Sequence, residues 1–398
     1  MPIKPSKVLI AGAGIAGLVT GLALQKSGIA VEIFEQSAEL RELGAGVQLS
    51  ANGTRVLIAL GLEAQMQAIA CEPSGKEIRL FSTGQTWKLF DLGAESQQLY
   101  GAPYWTLHRG DLHRVLLDAF NARAPGCLHL GARCIGFDET DDGAWLNLED
   151  GRRQHGDVIV GADGVHSEIR RRIGGDASPA FTGLAAWRGL VPMQRLSAAM
   201  RRDVGVNWVG PGGHVITYPV RRGELLNFVG IVERESWPVE SWTERGTTQE
   251  CLDCFTGWND EIHTIIKTLD VPYKWALLGR EPLPHFCTPH ACVIGDAAHP
   301  TLPFLAQGAN MAIEDGMILA RCLEKFDVPA ALQRYQALRL SRTSSIVVKS
   351  AENAQRFHNP ALADATGAAD YVSREWQPER VRERYNWLFE YDAVTLPV

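Results

Sequence analysis

The chain has 398 residues, enough for two or three domains with a sizeable core. Its net charge of -7, with no basic block, argues against nucleic acid and anionic membrane as partners, and no apolar run is long enough to span a bilayer. The 8 cysteines are dispersed through the chain rather than set in a dense framework, which points to a reducing cytoplasm.

Lys4 and Lys7 before the apolar Val8–Leu24 have the outline of a signal peptide, but the spaced glycines and the missing cleavage pattern speak against one. Val8–Ala11 reads as a short strand, Leu18–Ser27 as a helix and Val31–Phe34 as the next strand, with Glu35 behind it. Between strand and helix, Gly12, Gly14 and Gly17 form GxGxxG. Gly12 permits the tight turn, Gly14 lets backbone approach a pyrophosphate, and Gly17 lets helix and strand pack closely. The helix N-terminus meets the phosphate charge. Glu35 suits a ribose diol and would repel a 2′-phosphate. NAD and FAD both carry an ADP moiety, so this unit alone does not separate them.

Further along, Val158–Val160 reads as a buried strand, Asp163-Gly164 as a tight turn, and Ser167–Ile173 as a helix start. The region 180–279 changes texture, with strands expected in "AAWRGLVPM", "HVITYPV" and "LLNFVGIV" separated by Gly, Pro and Arg-Arg-Gly turns. These predict an antiparallel sheet, to which Glu72–Trp105 adds strands. Alternation in "GGHVITYPV" places His214, Ile216 and Tyr218 on one face, two proton-handling groups around an aliphatic one. Arg188 in "AWRGL" reads as a structural ion-pair residue rather than a carboxylate anchor. Cys251 and Cys254, a lone CxxC in a helical stretch, read as small buried thiols. Cys287 and Cys292 near His285 and His290 read as a strand approach, and no metal is expected.

"CVIGDAAHP" is again an apolar strand, ending at Gly295-Asp296, where a carboxylate can bond a ribityl hydroxyl. Pro300 and Pro303 stiffen the turn that follows. Gln307, Gly308 and Ala309 then open a helix running to about Leu323, with Glu314 and Asp315 expected in its first turns, where they suit the helix dipole. Pro329–Phe357 reads as another helix. Beyond Pro360, Tyr385, Trp387, Leu388, Phe389 and Tyr391 recur at helical spacing, for packing on the body or on a second subunit.

The three signatures GxGxxG, Asp163-Gly164 and Gly295-Asp296, with the blocks Gly44–Leu62 and His108–Leu117, resemble the class A flavoprotein aromatic hydroxylases, the single-component FAD monooxygenases. Within that family the chain is most similar to salicylate, 3-hydroxybenzoate and 6-hydroxynicotinate hydroxylases. The resemblance covers nearly the whole chain. It implies an α/β (α+β) fold: a Rossmann-like FAD-binding domain (1–71, 105–180 and 281–328) interleaved with an antiparallel-sheet substrate domain (72–104 and 181–280), plus C-terminal helices (329–398). It implies cofactor contacts at Gly12, Gly14, Ala16, Gly17, Glu35, Gln36, Arg41, Gln48, Arg109, Cys134, Asp163, Gly164, Asp296, Pro300, Gln307, Gly308, Ala309 and Asn310. Glu35 would hold the adenosine ribose, Arg109 the pyrophosphate or ribityl chain, and Asp296 the ribityl chain or pyrophosphate. A plain alternative makes Arg109 a surface partner of Asp111. The helix opening at Gln307 would stabilise negative charge on reduced flavin.

The implied reaction is hydroxylation of a phenolic aromatic acid with NAD(P)H and O2, through a flavin C4a-hydroperoxide. NADH or NADPH would visit transiently, since no second GxGxxG appears. His214 is the candidate base or proton relay, Tyr218 orients the phenol oxygen, and Gln48 is the third candidate at the catalytic site. Hydroxynicotinate enzymes carry histidines where Gln48 and Phe304 stand here; Phe304 with Leu302 and Leu305 favours a benzenoid ring and excludes water. The expected assembly is a monomer or homodimer. A hydroxynicotinate or quinolone hydroxylase is the nearest alternative. A flavin dehydrogenase or reductase on the same fold, and a non-catalytic FAD-binding protein, are the others.

Overall fold

The computed structural model describes residues 4–40, 45–174, 178–236 and 244–398. Its first layer is a parallel sheet of β1 (Lys7–Ala11), β2 (Ala30–Phe34), β7 (Leu128–His129), β11 (Val158–Gly161) and β17 (Ala291–Val293), in the order β17-β11-β1-β2-β7. Val8, Leu9, Ile10 and Ala11 are all completely buried. Parallel strands are covered on both faces, which is why this run is continuously apolar rather than alternating. The helix Ile15–Lys26 packs against the helix Gly308–Lys325 on one side of it. A small antiparallel sheet of β8 (Cys134–Thr140), β9 (Gly143–Leu148) and β10 (Arg153–Gly156) lies beside it.

The second large sheet contains β4 (Gly75–Leu80), β5 (Thr86–Asp91), β12 (Ala180–Pro192), β13 (Val204–Gly210), β14 (Gly213–Val220), β15 (Leu225–Glu233) and β16 (Tyr273–Gly279), in the order β16-β12-β15-β14-β13-β4-β5. It is not wholly antiparallel as expected: β13 and β4 run parallel. Strands joined by a short hairpin must be antiparallel, but β4 comes from a separate excursion of the chain and is free of that constraint. A third antiparallel pair, β3 (Gly46–Leu49) with β6 (Trp105–His108), bridges the two layers. Thr106 Oγ1 donates to the Pro219 carbonyl of β14 at 2.6 Å.

The C-terminal helices Val328–Phe357, Ala365–Glu375 and Pro378–Phe389 close over the second sheet. Tyr385 packs tilted against Phe90, and Phe389 packs edge-to-face with Phe90, Tyr100 and Tyr104. The aromatic stripe therefore covers this chain's own sheet. Trp387 and Tyr391 instead receive the Arg342 guanidinium over their rings, at 5.5 and 3.9 Å.

Glu314 and Asp315 are not first-turn dipole partners; they lie deeper in the helix Gly308–Lys325 and are completely buried. Arg339 binds both, Nη2 to Glu314 and Nε to Asp315 at 2.7 Å each. Arg342 adds a second contact to Glu314, and His299 Nε2 lies 2.6 Å from Asp315 Oδ2. Burial would raise the Asp315 carboxyl, but His299 and Arg339 outweigh it and hold it at about 2. Asp315 Oδ2 also accepts the Gly295 N–H at 2.9 Å, so this charge cluster fixes the turn that carries Asp296.

Candidate active site

The glycine signature forms the first wall of the site. Gly12 has φ +104°, and a Cβ there would stand 2.4 Å from the Ala162 carbonyl oxygen. A Cβ on Gly14, by contrast, would meet nothing within 4 Å. Gly14 is also the N-cap of the helix Ile15–Lys26 and supplies no side-chain cap. Uncapped N–H groups facing open space suit a pyrophosphate. Around this point, Asp296 is exposed while its neighbours Gly295 and Ala297 are buried. A Cβ on Gly295 would lie 2.9 Å from Ala16 Cβ, so the Asp296 turn abuts the same helix start. Pro300 behind it is buried.

Glu35 stands at the end of β2, its Oε2 accepting the Ala13 N–H and its Oε1 the Ser37 N–H, each at 2.9 Å. Cys134 lies within the field of both Glu35 and Asp163; burial first, and then those charges, push its thiol up to about 12. Gln36 is exposed beside them. Arg109 is exposed and has no side-chain partner among the described residues. Asp111, offered as its surface partner, is instead held by Arg221 at 2.8 Å. Arg41 lies outside the described residues.

Several expected contacts turn out to serve the scaffold through their side chains. Asp163 accepts from the Glu168 N–H at 2.8 Å and from Ser167 Oγ, so it caps the helix Glu168–Ile173, while Gly164 takes φ +77° in the turn. Gln307 Nε2 donates to Ser50 Oγ at 3.0 Å, and its Oε1 accepts from Asn52 at 2.9 Å. Asn310 donates to the Gln48 and Ala306 carbonyls and accepts the Ser50 N–H. These pins lock the helix start at Gly308 against β3, leaving Gly308 and Ala309 half-buried with no side-chain cap on the helix.

The facing wall is one side of the second sheet. Register places His214, Ile216 and Tyr218 of β14 beside Val209 and Asn207 of β13, Ile231, Val229 and Asn227 of β15, and Lys76, Ile78 and Leu80 of β4. The structure brings Tyr218 and Gln48 together. Tyr104 donates to Gln48 Oε1 at 2.8 Å, and Gln48 and Asn227 both act on the Tyr218 hydroxyl in the sense that favours its ionised form. Burial nevertheless holds the Tyr218 phenol above its ordinary value, so it stays a donor. Asn227 is itself fixed, its Oδ1 accepting the Gly46 N–H at 2.7 Å. Gly46 is required here: a Cβ would stand 2.5 Å from the Tyr218 ring.

His214 is set apart from that group, four residues along β14 and about 13 Å away between Cα atoms at the usual rise per residue. It is completely buried against Phe304 and Phe357, with ring centroids 5.0 Å away in each case. Its Nδ1 lies 2.7 Å from His358 Nε2, and His358 Nδ1 lies 2.9 Å from Glu233 Oε1. An ionised carboxylate only accepts, so His358 Nδ1 carries the proton toward Glu233. His358 Nε2 then accepts from His214 Nδ1, which leaves His214 Nε2 as a lone pair. That atom is buried and has no hydrogen-bond partner. Burial first, then the charges of His358 and Lys76, hold His214 well below its ordinary value, so it is neutral. Glu233 is exposed and lines a surface cleft of about 570 Å³ with Leu302 and Gln355.

Arg188 lies over the rings of Tyr273 and Trp275, at 5.7 and 5.1 Å. Sequence reasoning passed over His358, Glu233, Tyr104, Asn207, Asn227 and Lys76. Lys76 had a readable signal, since it alternates with Ile78 and Leu80 on the apolar face of a strand. His358 had none: it is brought in by the end of a long helix.

Residues 5–350 match the model of the FAD-binding domain family. The chain is 35% identical over 391 residues to the 3-amino-4-hydroxybenzoate 2-monooxygenase PtnB3 of Streptomyces platensis, covering 98% of this chain and 96% of that one. It is 31% identical to the 3-hydroxybenzoate 6-hydroxylase of Polaromonas naphthalenivorans, covering 97% and 96%. Among solved structures, a salicylate hydroxylase substrate complex superposes with TM-score 0.80 at 27% identity, covering 98% and 96%. Klebsiella pneumoniae HpxO complexed with FAD and uric acid superposes with TM-score 0.83 at 25% identity, covering 96% and 95%.

Proposed function

The chain belongs to the FAD-binding domain family and is an FAD-dependent aromatic monooxygenase, and from that premise we propose that it hydroxylates a phenolic aromatic acid with NAD(P)H as reductant. The observation that carries the choice of a phenol is the lone pair of His214 Nε2, buried, unpartnered and linked through His358 to Glu233. Removing the phenol proton makes the ring carbons ortho and para to oxygen more nucleophilic. A neutral imidazole inside the pocket takes that proton, and the chain of His358 and Glu233 passes its equivalent to the surface.

Gly12, Gly14 and the uncapped helix start would hold the cofactor's pyrophosphate, Glu35 its ribose, Arg109 and Asp296 its linking chain, and the pinned turn at Gly308–Ala309 its ring. When bound, the flavin supplies the activation of O2 and delivery of one oxygen atom to a ring carbon. Tyr218, beside Gln48 and Asn227, donates to the substrate oxygen and orients the ring. His214 and Tyr218 project from the same face of β14 with Ile216 between them, so both line one wall. Leu302, Phe304 and Leu305, all buried, keep water away from the reacting face.

The relatives' substrates support a benzenoid acid: one is named for an aminohydroxybenzoate and another for a hydroxybenzoate. A 6-hydroxynicotinate 3-monooxygenase of Bordetella bronchiseptica is 30% identical, but Gln48 carries no titrating nitrogen, which favours the benzenoid reading. The division into an FAD-binding domain, a substrate domain and a C-terminal helical cover is proposed on the same grounds. The test is NADH and NADPH oxidation by the purified holoenzyme over 3-amino-4-hydroxybenzoate, 3-hydroxybenzoate, salicylate and 6-hydroxynicotinate, with product and peroxide assayed. Fast oxidation coupled to a hydroxylated benzoate supports the reading; coupling only with the pyridine acid overturns it.

A further inference from the structure

Lys76 is the one charged residue on β4 that faces the substrate wall. It is 7% exposed, yet it has no hydrogen-bond or ion-pair partner among the described residues. Its neighbours do not neutralise it: Glu77 lies on the opposite face, bonded to Arg79 at 2.7 Å. Cross-strand from Lys76 are Phe90 and Gly205. A Cβ on Gly205 would touch Lys76 Cγ at 3.9 Å, so the lysine stem leans over a position in β13 that has no side chain. Beyond Gly205, by the register of β13 with β14, the next strand carries Tyr218 on the same face.

Taking an ammonium out of water without a counter-charge is costly, and such groups are paired in folded proteins. Three polar atoms on this face are buried without a hydrogen-bond partner: Asn207 Oδ1, Asn227 Nδ2 and His214 Nε2. Lys76 and Asn207 share this face with Tyr218, and the charge of Lys76 is felt at His214. Each unmet group argues for a ligand that meets it. A carboxylate accepts from an ammonium and from an amide N–H. The Asn207 amide can present either its oxygen or its nitrogen after rotation about its last bond.

We propose that Lys76, with Asn207, binds the carboxylate of the substrate and makes this enzyme selective for aromatic acids over neutral phenols. The inference rests on this face being the substrate wall. The lysine is then a binding residue whose charge is met by the substrate carboxylate.

The experiment titrates the holoenzyme with benzoate and with benzamide, reading the flavin absorbance, in wild type and Lys76→Met. Wild type should bind benzoate at least tenfold more tightly than benzamide. Lys76→Met should weaken benzoate by about ten- to a hundredfold, leave benzamide within about twofold, and erase the selectivity. Its melting temperature without ligand should be unchanged or higher, because an unpaired buried charge has been removed. Lys76→Arg should keep part of the preference. Equal benzoate affinity in wild type and a folded, FAD-loaded Lys76→Met overturns the proposal. A benzoate preference that depends on Lys76 in an enzyme that hydroxylates no phenol would sink the hydroxylase reading and keep this one. Hydroxylation of neutral phenols as efficiently as of acids would do the reverse.

Discussion

His214 Nδ1 and His358 Nε2 are 2.7 Å apart inside the core, and the far nitrogen of His358 reaches the exposed Glu233. A buried imidazole alone is a poor proton acceptor, because its charged form is desolvated. Coupled to a second ring and a surface carboxylate, it passes a proton on without storing charge. His358→Ala is expected to lower coupled hydroxylation about ten- to a hundredfold, with FAD content unchanged. Steady-state kcat with the preferred acid, with and without added imidazole, checks this; an unchanged kcat removes the relay.

The same histidine sets a pH dependence of stability. His214 in the fold is held below its ordinary value of 6.5 and stays neutral, whereas the unfolded chain takes up a proton. Its contribution is therefore present above about pH 6.5 and lost as pH falls below it. Asp315 acts lower: depressed from 3.8 to about 2, it contributes stability above pH 4 that is lost between about 4 and 2. Denaturant melts from pH 7 to 3 should show a decline beginning near 6.5 and steepening below 4. His214→Asn should shrink the first phase, to which His358 and His108 also contribute because burial holds both below their ordinary value, and leave the second.

Arg339 faces Glu314 and Asp315 with no exposure on any of the three. Arg339→Met leaves two buried carboxylates with fewer cations, a loss of about 3–5 kcal/mol. Chemical denaturation would measure it; a loss under about 1 kcal/mol would show that Arg342 and His299 suffice.

Asp296→Ala should yield protein that is folded but depleted of FAD. The flavin-to-protein absorbance ratio after purification reports this directly, and full occupancy would remove Asp296 from the cofactor site.

Gly46→Ala introduces a methyl 2.5 Å from the Tyr218 ring and so displaces the residue that orients substrate. We expect KM for the acid to rise and peroxide release to increase, with FAD retained. Unaltered coupling would mean that Tyr218 does not position the ring.

Much of the cofactor half was legible because its signals are local. Gly12, Gly14 and Gly17 sit within one turn, and Gly295-Asp296 ends a strand, so short-range chemistry names them. The substrate half depends on which strands lie side by side. Alternation put His214 and Tyr218 on one face, but it did not show that Tyr218 would join Gln48 and Asn227 while His214 joined His358, 144 residues away. Gln307 and Asn310 were expected at the cofactor because they open a helix there. Their side chains bind Ser50, Asn52 and Gln48, partners that only the packed fold supplies. Glu314 and Asp315 were read from the helix dipole alone, and their burial against Arg339 is a tertiary property.

The most direct test of the central claim is isotope incorporation. The holoenzyme would be turned over with NAD(P)H, 3-amino-4-hydroxybenzoate or 3-hydroxybenzoate, and ¹⁸O-labelled O2, and the product analysed by mass. The account predicts a hydroxylated aromatic acid carrying one labelled oxygen, formed in step with NAD(P)H consumed and with little peroxide. Oxidised product without label, or reductant consumption that never yields a hydroxylated acid, would contradict it.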